Sequence, residues 1–353
     1  MKTILVTGGL GFIGSNFLNS YVPSNLDKKI INIDSESYAS SFESTKNLTN
    51  YSNYKYLNID ITHQSDINSL FNSYEFDIII HFAAESHVDN SIKDPLSFAK
   101  SNIIGTLNLL QAFNNYRNLK SKLFYHVSTD EVYGSTLNNS FDEMSKYDPS
   151  SPYSASKAAS DHFVKAFYKT YNTPIILSNC SNNYGPWQYK EKLIPVVINS
   201  ILKKKNIPVY GNGKNIRDWI YIDDHISAIN LILDKGVIGE SYCIGSNNEI
   251  SNIDLIKKIC KISDNFLDNN SNSFDLVEYV KDRPGHDIRY SIDSSKLQKL
   301  GWKPINSFDE SLEKTVKWYI RHKGIKRCTK CIERAIMVHV LRVDIGYYSN
   351  CGW

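Results

Sequence analysis

The sequence has few cysteines and no long apolar run. Six cysteines stand among 353 residues, and three of them fall within the last 26. Cys328 and Cys331 form one CxxC, but no second CxxC or paired histidine motif supplies the remaining ligands of a zinc site, so we expect no metal. The apolar runs are too short for a membrane helix, and the chain opens on Lys2-Thr3 instead of an apolar leader. These absences predict a cytoplasmic protein without a membrane span.

An excess of charge of one sign is also missing. The 40 basic and 37 acidic residues leave a net charge of +3 and form no basic stripe. A nucleic acid is therefore not expected as the main partner, whereas a small basic pocket for an anion is compatible with this composition. With 41% hydrophobic residues, the chain is long enough for a well-buried core and a second lobe.

Short apolar runs alternate with helical stretches in the first half of the chain. This rhythm is typical of βαβ units and predicts an α/β fold with a doubly wound parallel sheet over residues 1–178. After Asn179 the pattern becomes irregular and richer in turns, which predicts a smaller mixed α/β lobe over residues 179–322. The predicted strands are Thr3–Thr7, Lys29–Ile33, Tyr54–Leu57, Ile78–Phe82, Leu123–Val127 and Ile175–Leu177.

A glycine turn follows the first predicted strand. Gly8, Gly11 and Gly14 would let the backbone turn tightly and approach a pyrophosphate at the N-terminus of a helix that begins near Phe12. Asp34 ends the second strand 20 residues after Gly14, where an acid can bond the adenosine ribose and repel a 2′-phosphate. This spacing favours NAD over NADP as cofactor. The alternative is that the glycines only pack a helix on a sheet.

Further candidates for the cofactor site follow from the same geometry. Phe12 and Ile13 stand between the second and third glycines, at the start of the helix. Asp60 and Ile61 follow the third predicted strand, where they would contact the adenine.

A hydroxyl and two acids follow the fifth predicted strand directly. Thr129, Asp130 and Glu131 would emerge at the carboxyl end of that strand, where open α/β sheets bind ligands. Successive strand residues point to opposite faces, so both acids reach one substrate only if the backbone leaves the strand there, and Gly134 favours such a turn. The alternative is a solvated pair of loop carboxylates.

Tyr153 and Lys157 stand four residues apart in a segment of helical composition, so they share one helical face. A nearby ammonium favours a phenolate, and we expect Lys157 to lower the pKa of Tyr153 enough for it to act as a base. Other tyrosines of this chain also have a lysine four residues on, so the spacing alone proves little. The position downstream of Thr129, between the two predicted lobes, selects this pair.

Six motifs together resemble the extended short-chain dehydrogenase/reductase superfamily: TGGLGFIG, HFAAESHVDNSI, STDEVYG, YSASK, NCSNNYGP and RDWIYIDDH. Within it, the pair Asp130-Glu131 looks like that of the nucleotide-diphosphate-glucose 4,6-dehydratases. The resemblance runs from Thr3 to about His322, and residues 323–353 lie outside it. It implies that residues 1–178 bind NAD, that about 216–245 return to this domain, and that 179–322 mainly bind the nucleotide sugar.

The resemblance also implies a reaction and a role for each catalytic candidate. Tyr153 would take the proton of the sugar C4 hydroxyl, with Thr129 holding the oxygen and Lys157 bonding the nicotinamide ribose. Glu131 would then remove the C5 proton, and Asp130 would protonate the departing C6 hydroxyl. For this Asp130 needs a raised pKa, which the adjacent Glu131 and a closed site would provide. NAD would be regenerated in each turnover.

The remaining candidates are implied by the same resemblance, although each taken singly is more often a surface or loop residue. Ala83 would contact the cofactor, and the chain would form a homodimer. Two alternatives stay open: a C4 epimerase or decarboxylase on the same scaffold, and a non-catalytic NAD-binding regulatory protein. The candidates for the nucleotide sugar are Asn182, Lys192, Leu193, Pro208, Tyr210, Arg217, Asn252 and Arg283.

Overall fold

A computed structural model describes residues 1–327 except 117, 118, 120, 121 and 268–271, with side chains described as far as His322. The strands of this part of the chain are β1 (Thr3–Thr7), β2 (Lys29–Asp34), β3 (Tyr54–Asn58), β4 (Ile78–His81), β5 (Leu123–Thr129), β6 (Ile175–Cys180), β7 (Asn182–Tyr184), β8 (Ile207–Tyr210), β9 (Ile216–Tyr221), β10 (Ser241–Ile244), β11 (Glu249–Ser251) and β12 (Val277–Val280). The α-helices are α1 (Phe12–Ser24), α2 (Gln64–Ser73), α3 (Val88–Lys93), α4 (Pro95–Phe98), α5 (Gly105–Asn114), α6 (Pro152–Tyr171), α7 (Leu193–Lys203), α8 (Ile222–Lys235), α9 (Asn252–Leu267), α10 (Ser295–Lys299) and α11 (Phe308–Arg327).

Seven parallel strands form the main sheet in the order β3-β2-β1-β4-β5-β6-β10. The predicted α/β fold with a doubly wound parallel sheet is confirmed. Because the chain reverses direction across the sheet between β1 and β4, loops diverge there and leave a crevice at the carboxyl ends of the strands. β5 is buried along its whole length, which explains why its sequence reads as a continuous apolar run.

Each predicted strand is present, and most of them extend further than predicted. The fifth continues through Ser128 and Thr129, and the sixth continues to Cys180. Most of these extra residues are polar but buried, and they lie where β5 and β6 pair through Ser128 with Asn179 and Thr129 with Cys180. The hydrophobic pattern alone therefore places the strand ends too early.

The later part of the chain also forms two small sheets. β9 pairs with β7 in parallel and with β11 in antiparallel orientation, and β8 pairs with β12. β10 comes from this later part of the chain yet pairs with β6 in the main sheet. The division of the chain at residue 178 stays a prediction, and residues 328–353, with Cys328 and Cys331, lie outside the described residues. Of the helices described, none is long and apolar enough to cross a membrane.

Candidate active site

One cleft of about 680 Å³ lies at the carboxyl edge of the main sheet, between that edge and the small sheets. Every candidate residue predicted from the sequence lines it. On the side of the first strands these are Gly8, Gly11, Phe12, Ile13, Gly14, Asp34, Asp60, Ile61 and Ala83; at the centre Thr129, Asp130, Glu131, Tyr153 and Lys157; and on the other side Asn182, Lys192, Leu193, Pro208, Tyr210, Arg217, Asn252 and Arg283. The assignment of roles to these residues stays a prediction.

The glycine turn leaves room for a phosphate at the start of α1. Gly8 has φ +71°, and a Cβ there would lie 2.6 Å from the backbone of Ala83. A Cβ at Gly14 would lie 2.3 Å from the Gly8 carbonyl oxygen, so neither position accepts a side chain. Gly11 precedes the helix without a side-chain cap, and the first backbone N–H groups are therefore available to an anion. The turn fits the pyrophosphate of a dinucleotide.

Asp34 closes the far end of the cleft, as the last residue of β2. Its carboxylate accepts hydrogen bonds from the backbone N–H of Leu10 at 3.0 Å and of Glu36 at 2.9 Å, and from the Ser40 hydroxyl at 2.7 Å. These contacts tie the loop after β2 to the glycine turn. A carboxylate oriented in this way can also accept hydrogen bonds from the hydroxyls of a ribose.

Replacing Asp34 with alanine is expected to weaken NAD binding by about 10- to 100-fold, because a charge-assisted hydrogen bond contributes roughly 1.5–3 kcal/mol. Isothermal titration of the purified protein with NAD measures this change. Asp66→Ala, which removes an exposed carboxylate from α2, is the matched control and should bind NAD as the parent does. Unchanged affinity in Asp34→Ala would contradict the assignment.

The acid pair lies on a tight turn that begins where β5 ends. Asp130 to Tyr133 form one 3₁₀ turn, and the Thr129 hydroxyl accepts a hydrogen bond from the Glu131 backbone N–H at 3.3 Å. Gly134 ends the turn with φ +80°, and a Cβ there would lie 2.3 Å from the Asp148 carbonyl oxygen. The expected departure from the strand is therefore present, and it directs both acids into the same cleft.

The surroundings of the two carboxyl groups differ. Burial, then Glu131 and Asp218, raise the pKa of Asp130 well above its ordinary value, against the opposing charge of Arg217. Burial also raises the pKa of Glu131, but there Lys192 and Arg217 both oppose it. The expected elevation at Asp130 is thus present, and the two cations favour the ionised form of Glu131.

Tyr153 and Lys157 lie on the first turns of α6, on the face that meets the cleft. A capping box formed by Ser151 and Ser154 fixes the start of this helix. The Lys157 ammonium donates to the Val127 carbonyl at 3.0 Å. Both side chains are almost completely buried, so their geometry is fixed by the helix and by β5.

The expected effect of Lys157 on Tyr153 does not dominate in the structure. Burial and the Glu131 carboxylate raise the pKa of Tyr153 well above its ordinary value, and the hydrogen bond with Thr129 only partly opposes them. Helical spacing indicated the ammonium but not the burial of the phenol or the carboxylate on the adjacent turn. Tyr153 is therefore a phenol in this state of the cleft.

On the other side of the cleft, Arg283 meets a carboxylate from the first half of the chain. Its Nε lies 3.3 Å from Asp89 Oδ1, and its guanidinium lies 4.8 Å from the centre of the Tyr210 ring. The Tyr210 hydroxyl donates to Asp89 Oδ2 at 3.2 Å. A phosphate could replace this carboxylate on the same guanidinium.

Arg217 is held more firmly than Arg283. It donates to the carbonyls of Ile216 at 2.7 Å and Asp287 at 2.9 Å, and it stacks 4.1 Å from the centre of the Tyr290 ring. The positive charge of Arg217 acts on the carboxyl groups of Asp130 and Glu131 across the cleft. Most of its N–H donors are already used in hydrogen bonds to carbonyl groups.

Asn182 and Lys192 differ in the hydrogen bonds that they can still form. Lys192 donates to the Ser86 carbonyl at 2.6 Å. Asn182 Oδ1 is buried and finds no partner among the described residues.

Sequence reasoning missed several residues that connect the two sides of the cleft. The Tyr38 hydroxyl donates to Glu191 at 3.0 Å and accepts from Asn90 at 3.1 Å. His87 lies 3.9 Å from Asp89 and 4.0 Å from Glu191, and burial and Lys192 lower its pKa. No local pattern marks the contacts of Tyr38 with Asn90 and of Tyr38 and His87 with Glu191, because each joins positions far apart in the chain.

Comparison with known proteins matches residues 5–315 to the family described as GDP-mannose 4,6 dehydratase. The chain is 49% identical over 327 residues to the probable dTDP-glucose 4,6-dehydratase of Sinorhizobium fredii, covering 90% of this chain and 93% of that relative. Two solved structures of dTDP-glucose 4,6-dehydratases contain NAD. The one from Bacillus anthracis has a TM-score of 0.82 at 39% identity and covers 92% of this chain and 98% of its own. The one from Streptomyces venezuelae has a TM-score of 0.84 at 38% identity and covers 91% and 98%. The family match takes in every candidate residue of the cleft.

Proposed function

Since the chain belongs to the GDP-mannose 4,6-dehydratase family of extended short-chain dehydrogenases/reductases, we propose that it is an NAD-dependent 4,6-dehydratase that converts an NDP-glucose to the NDP-4-keto-6-deoxy sugar. The observation that carries this function is the meeting of Tyr153 with two carboxyl groups, the buried Asp130 and the half-buried Glu131, in one cleft. When bound, NAD accepts a hydride from C4, returns it to C6 and brings a positive charge into the cleft.

The residues around the sugar C4 atom remove one proton from its hydroxyl group. Tyr153 accepts the proton of the C4 hydroxyl, while the Thr129 hydroxyl bonds the same oxygen. The Lys157 ammonium favours the phenolate form of Tyr153 against burial and against the Glu131 carboxylate. A C4 ketone is the result, and it acidifies the proton on C5.

The acid pair carries out the elimination. Glu131 removes the C5 proton, a double bond forms between C5 and C6, and the C6–oxygen bond breaks as Asp130 donates its proton to the departing oxygen, releasing water. Glu131 afterwards returns its proton to C5. The raised pKa of Asp130 and the cations near Glu131 support this division of roles.

The nucleotide diphosphate fits the side of the cleft that carries Lys192, Arg217 and Arg283. Arginine forks suit phosphate oxygens, and Pro208 with Tyr210 offers an apolar slot for a base. The relatives named above act, by their names, on dTDP-glucose. We propose the same donor for this chain.

Incubating the purified protein with dTDP-glucose and with UDP-glucose, and identifying the products by NMR, tests the function. A 4-keto-6-deoxy product supports it, with kcat/KM for dTDP-glucose expected to be at least about tenfold higher, or roughly 1.4 kcal/mol in differential transition-state binding. A galactose or xylose product would instead indicate an epimerase or a decarboxylase. Tight NAD binding without turnover of either donor would indicate a non-catalytic protein.

We propose that the enzyme is a homodimer that pairs through α5 and α6. These helices pack against each other, and large apolar side chains stay exposed on or near them: Phe163 is 40% exposed, Ile104 45% and Leu96 77%. An apolar patch of this kind is typical of a surface that a second protein covers.

Replacing Phe163 with glutamate is expected to convert the dimer to a monomer, because it places a charge in an apolar interface. Sedimentation velocity measures the change. Leu267→Glu alters a side chain of similar exposure at the end of α9, a helix that packs against α7 and α11, and should leave the dimer intact. A parent protein that sediments as a monomer would contradict the proposal.

A cytoplasmic location likewise stays a prediction, which fractionation of expressing cells tests.

A further inference from the structure

Behind the cleft, two ionisable side chains are completely buried and are not used in the reaction described above. His126 lies on β5 and Asp161 on α6, one turn after Lys157, and both are 0% exposed. Neither lines the cleft. Burying a carboxylate is costly unless partners compensate its charge, so its presence here calls for a physical account.

The contacts of this pair lead directly to Lys157. His126 Nε2 lies 3.1 Å from Asp161 Oδ1 and 3.5 Å from the Lys157 ammonium nitrogen. The other oxygen of Asp161 accepts hydrogen bonds from the Tyr147 hydroxyl at 3.0 Å and from the Asn179 amide at 3.1 Å. The carboxylate is therefore fixed from the far side, and one imidazole nitrogen, His126 Nε2, contacts both the carboxylate and the ammonium.

Several titratable groups surround this arrangement. On β4, His81 lies with its ring centre 5.2 Å from that of His126 and contacts Thr7 and Thr106. Cys180 faces Lys157 from β6, and Tyr153 lies one turn before it on α6. On the outer side, Lys165 donates to the Tyr147 hydroxyl at 3.2 Å.

Among these groups Asp161 supplies the negative charge. Burial opposes its ionisation, but the contact with His126 and the charge of Lys157 outweigh burial and leave the pKa of Asp161 below its ordinary value. Burial and Lys157 lower the pKa of His126 to about 4, so the imidazole is neutral. Burial also lowers the pKa of Lys157, against the opposing effect of Asp161 and Cys180.

We propose that Asp161 is a positioning residue whose negative charge keeps Lys157 protonated and holds its ammonium at the back wall of the cleft. The proposal rests on the proposed function for the role of Lys157 beside Tyr153. The geometry by itself assigns the charge partner, since the carboxylate lies 3.1 Å and the ammonium 3.5 Å from the same imidazole nitrogen.

Competitive acetylation measures the protonation of Lys157 without any turnover. Purified parent and Asp161→Asn are treated with acetic anhydride over a range of pH, and mass spectrometry follows the modification of Lys157. Only the neutral amine reacts, so the pH at which labelling rises should fall by about one unit or more in the variant, a tenfold change in the protonation equilibrium. The same labelling curve in both proteins would overturn the proposal.

The pH dependence of kcat is a second measurement on the same variants. Lys157 acts in its protonated form, so a lower pKa removes activity as the pH rises through that lower value. The alkaline limb of the kcat profile in Asp161→Asn should move to lower pH, with the KM for the nucleotide sugar unchanged. A loss by the same factor at every pH would indicate a merely structural role. Absence of turnover by the parent would contradict the proposed function alone, because labelling still decides this proposal.

Matched variants separate charge from packing. Asp161→Glu keeps the carboxylate and should restore most of the parent profile, whereas Tyr147→Phe removes a bond to the same carboxylate but leaves its charge, and should not shift the limb. If Asp161→Asn does not fold, Asp161→Ser provides the same test, because it also removes the carboxylate charge and leaves a polar side chain. Its labelling curve should move in the same direction, and an unshifted curve would overturn the proposal.

Discussion

Replacing Tyr153 with phenylalanine is expected to lower kcat about a thousandfold, because general-base catalysis by a positioned side chain contributes roughly 10²–10⁴ in rate. The substitution removes one oxygen. It leaves the ring in place against Phe98, whose centre lies 6.3 Å away, and the capping box that begins α6 is unaffected. Reduction of bound NAD by the nucleotide sugar, followed in a stopped-flow spectrometer, isolates the step that needs this base.

Tyr168 provides the matched control for Tyr153. It lies on the same helix and is 36% exposed, so Tyr168→Phe should react at the parent rate. Binding of NAD and of the nucleotide sugar should be nearly unchanged in both variants. If Tyr153→Phe reduced NAD within about threefold of the parent rate, another group would have to accept the C4 proton.

Replacing Glu131 with glutamine is expected to separate the two halves of the reaction. Oxidation at C4 continues because Tyr153, Lys157 and Thr129 are intact, whereas elimination slows by about 10²–10³-fold without the base for C5. Reduced NAD should therefore accumulate on the enzyme, which its absorbance reports, and exchange of the C5 hydrogen with deuterated solvent should nearly cease. The amide is isosteric, so the 3₁₀ turn is preserved.

Glu240→Gln is the control for this second substitution, since it makes the same chemical change on the surface, where the side chain pairs with Lys296. Its dehydration rate should match the parent. Equal rates of C5 exchange in Glu131→Gln and in the parent would assign the base to another group. Asp130 is the first alternative, because it lies beside Glu131 on the same turn.

The parts of the fold that could be predicted from the sequence depend on local rules. Strand β5 reads directly from its apolar residues, and the glycine turn follows from the spacing of Gly8, Gly11 and Gly14, since only backbone geometry is involved. The turn at Asp130 was also foreseeable, because both acids could reach one substrate only if the strand ended there.

The parts that could not be predicted depend on contacts between distant positions. Nothing near Arg283 indicates that Asp89 will pair with it, and nothing near Tyr38 indicates Glu191. The prediction that the pKa of Tyr153 is lowered was wrong for the same reason. Helical spacing indicates a neighbouring ammonium, but the burial of Tyr153 and its approach to Glu131 arise only when β5 and α6 pack together. The pKa of a side chain therefore follows from sequence spacing only when its burial in the fold is also known.

The seventh strand of the main sheet constrains how this architecture can be divided. β10 joins the main sheet only after the chain has formed β7, β8 and β9. The main sheet is therefore built from two separate parts of the chain. A chain that stopped at residue 178 would leave the outer edge of β6 with an open row of backbone donors and acceptors, a surface prone to edge-to-edge association. The later part of the chain is consequently needed to cover the outer edge of β6, and the main sheet is not complete without it.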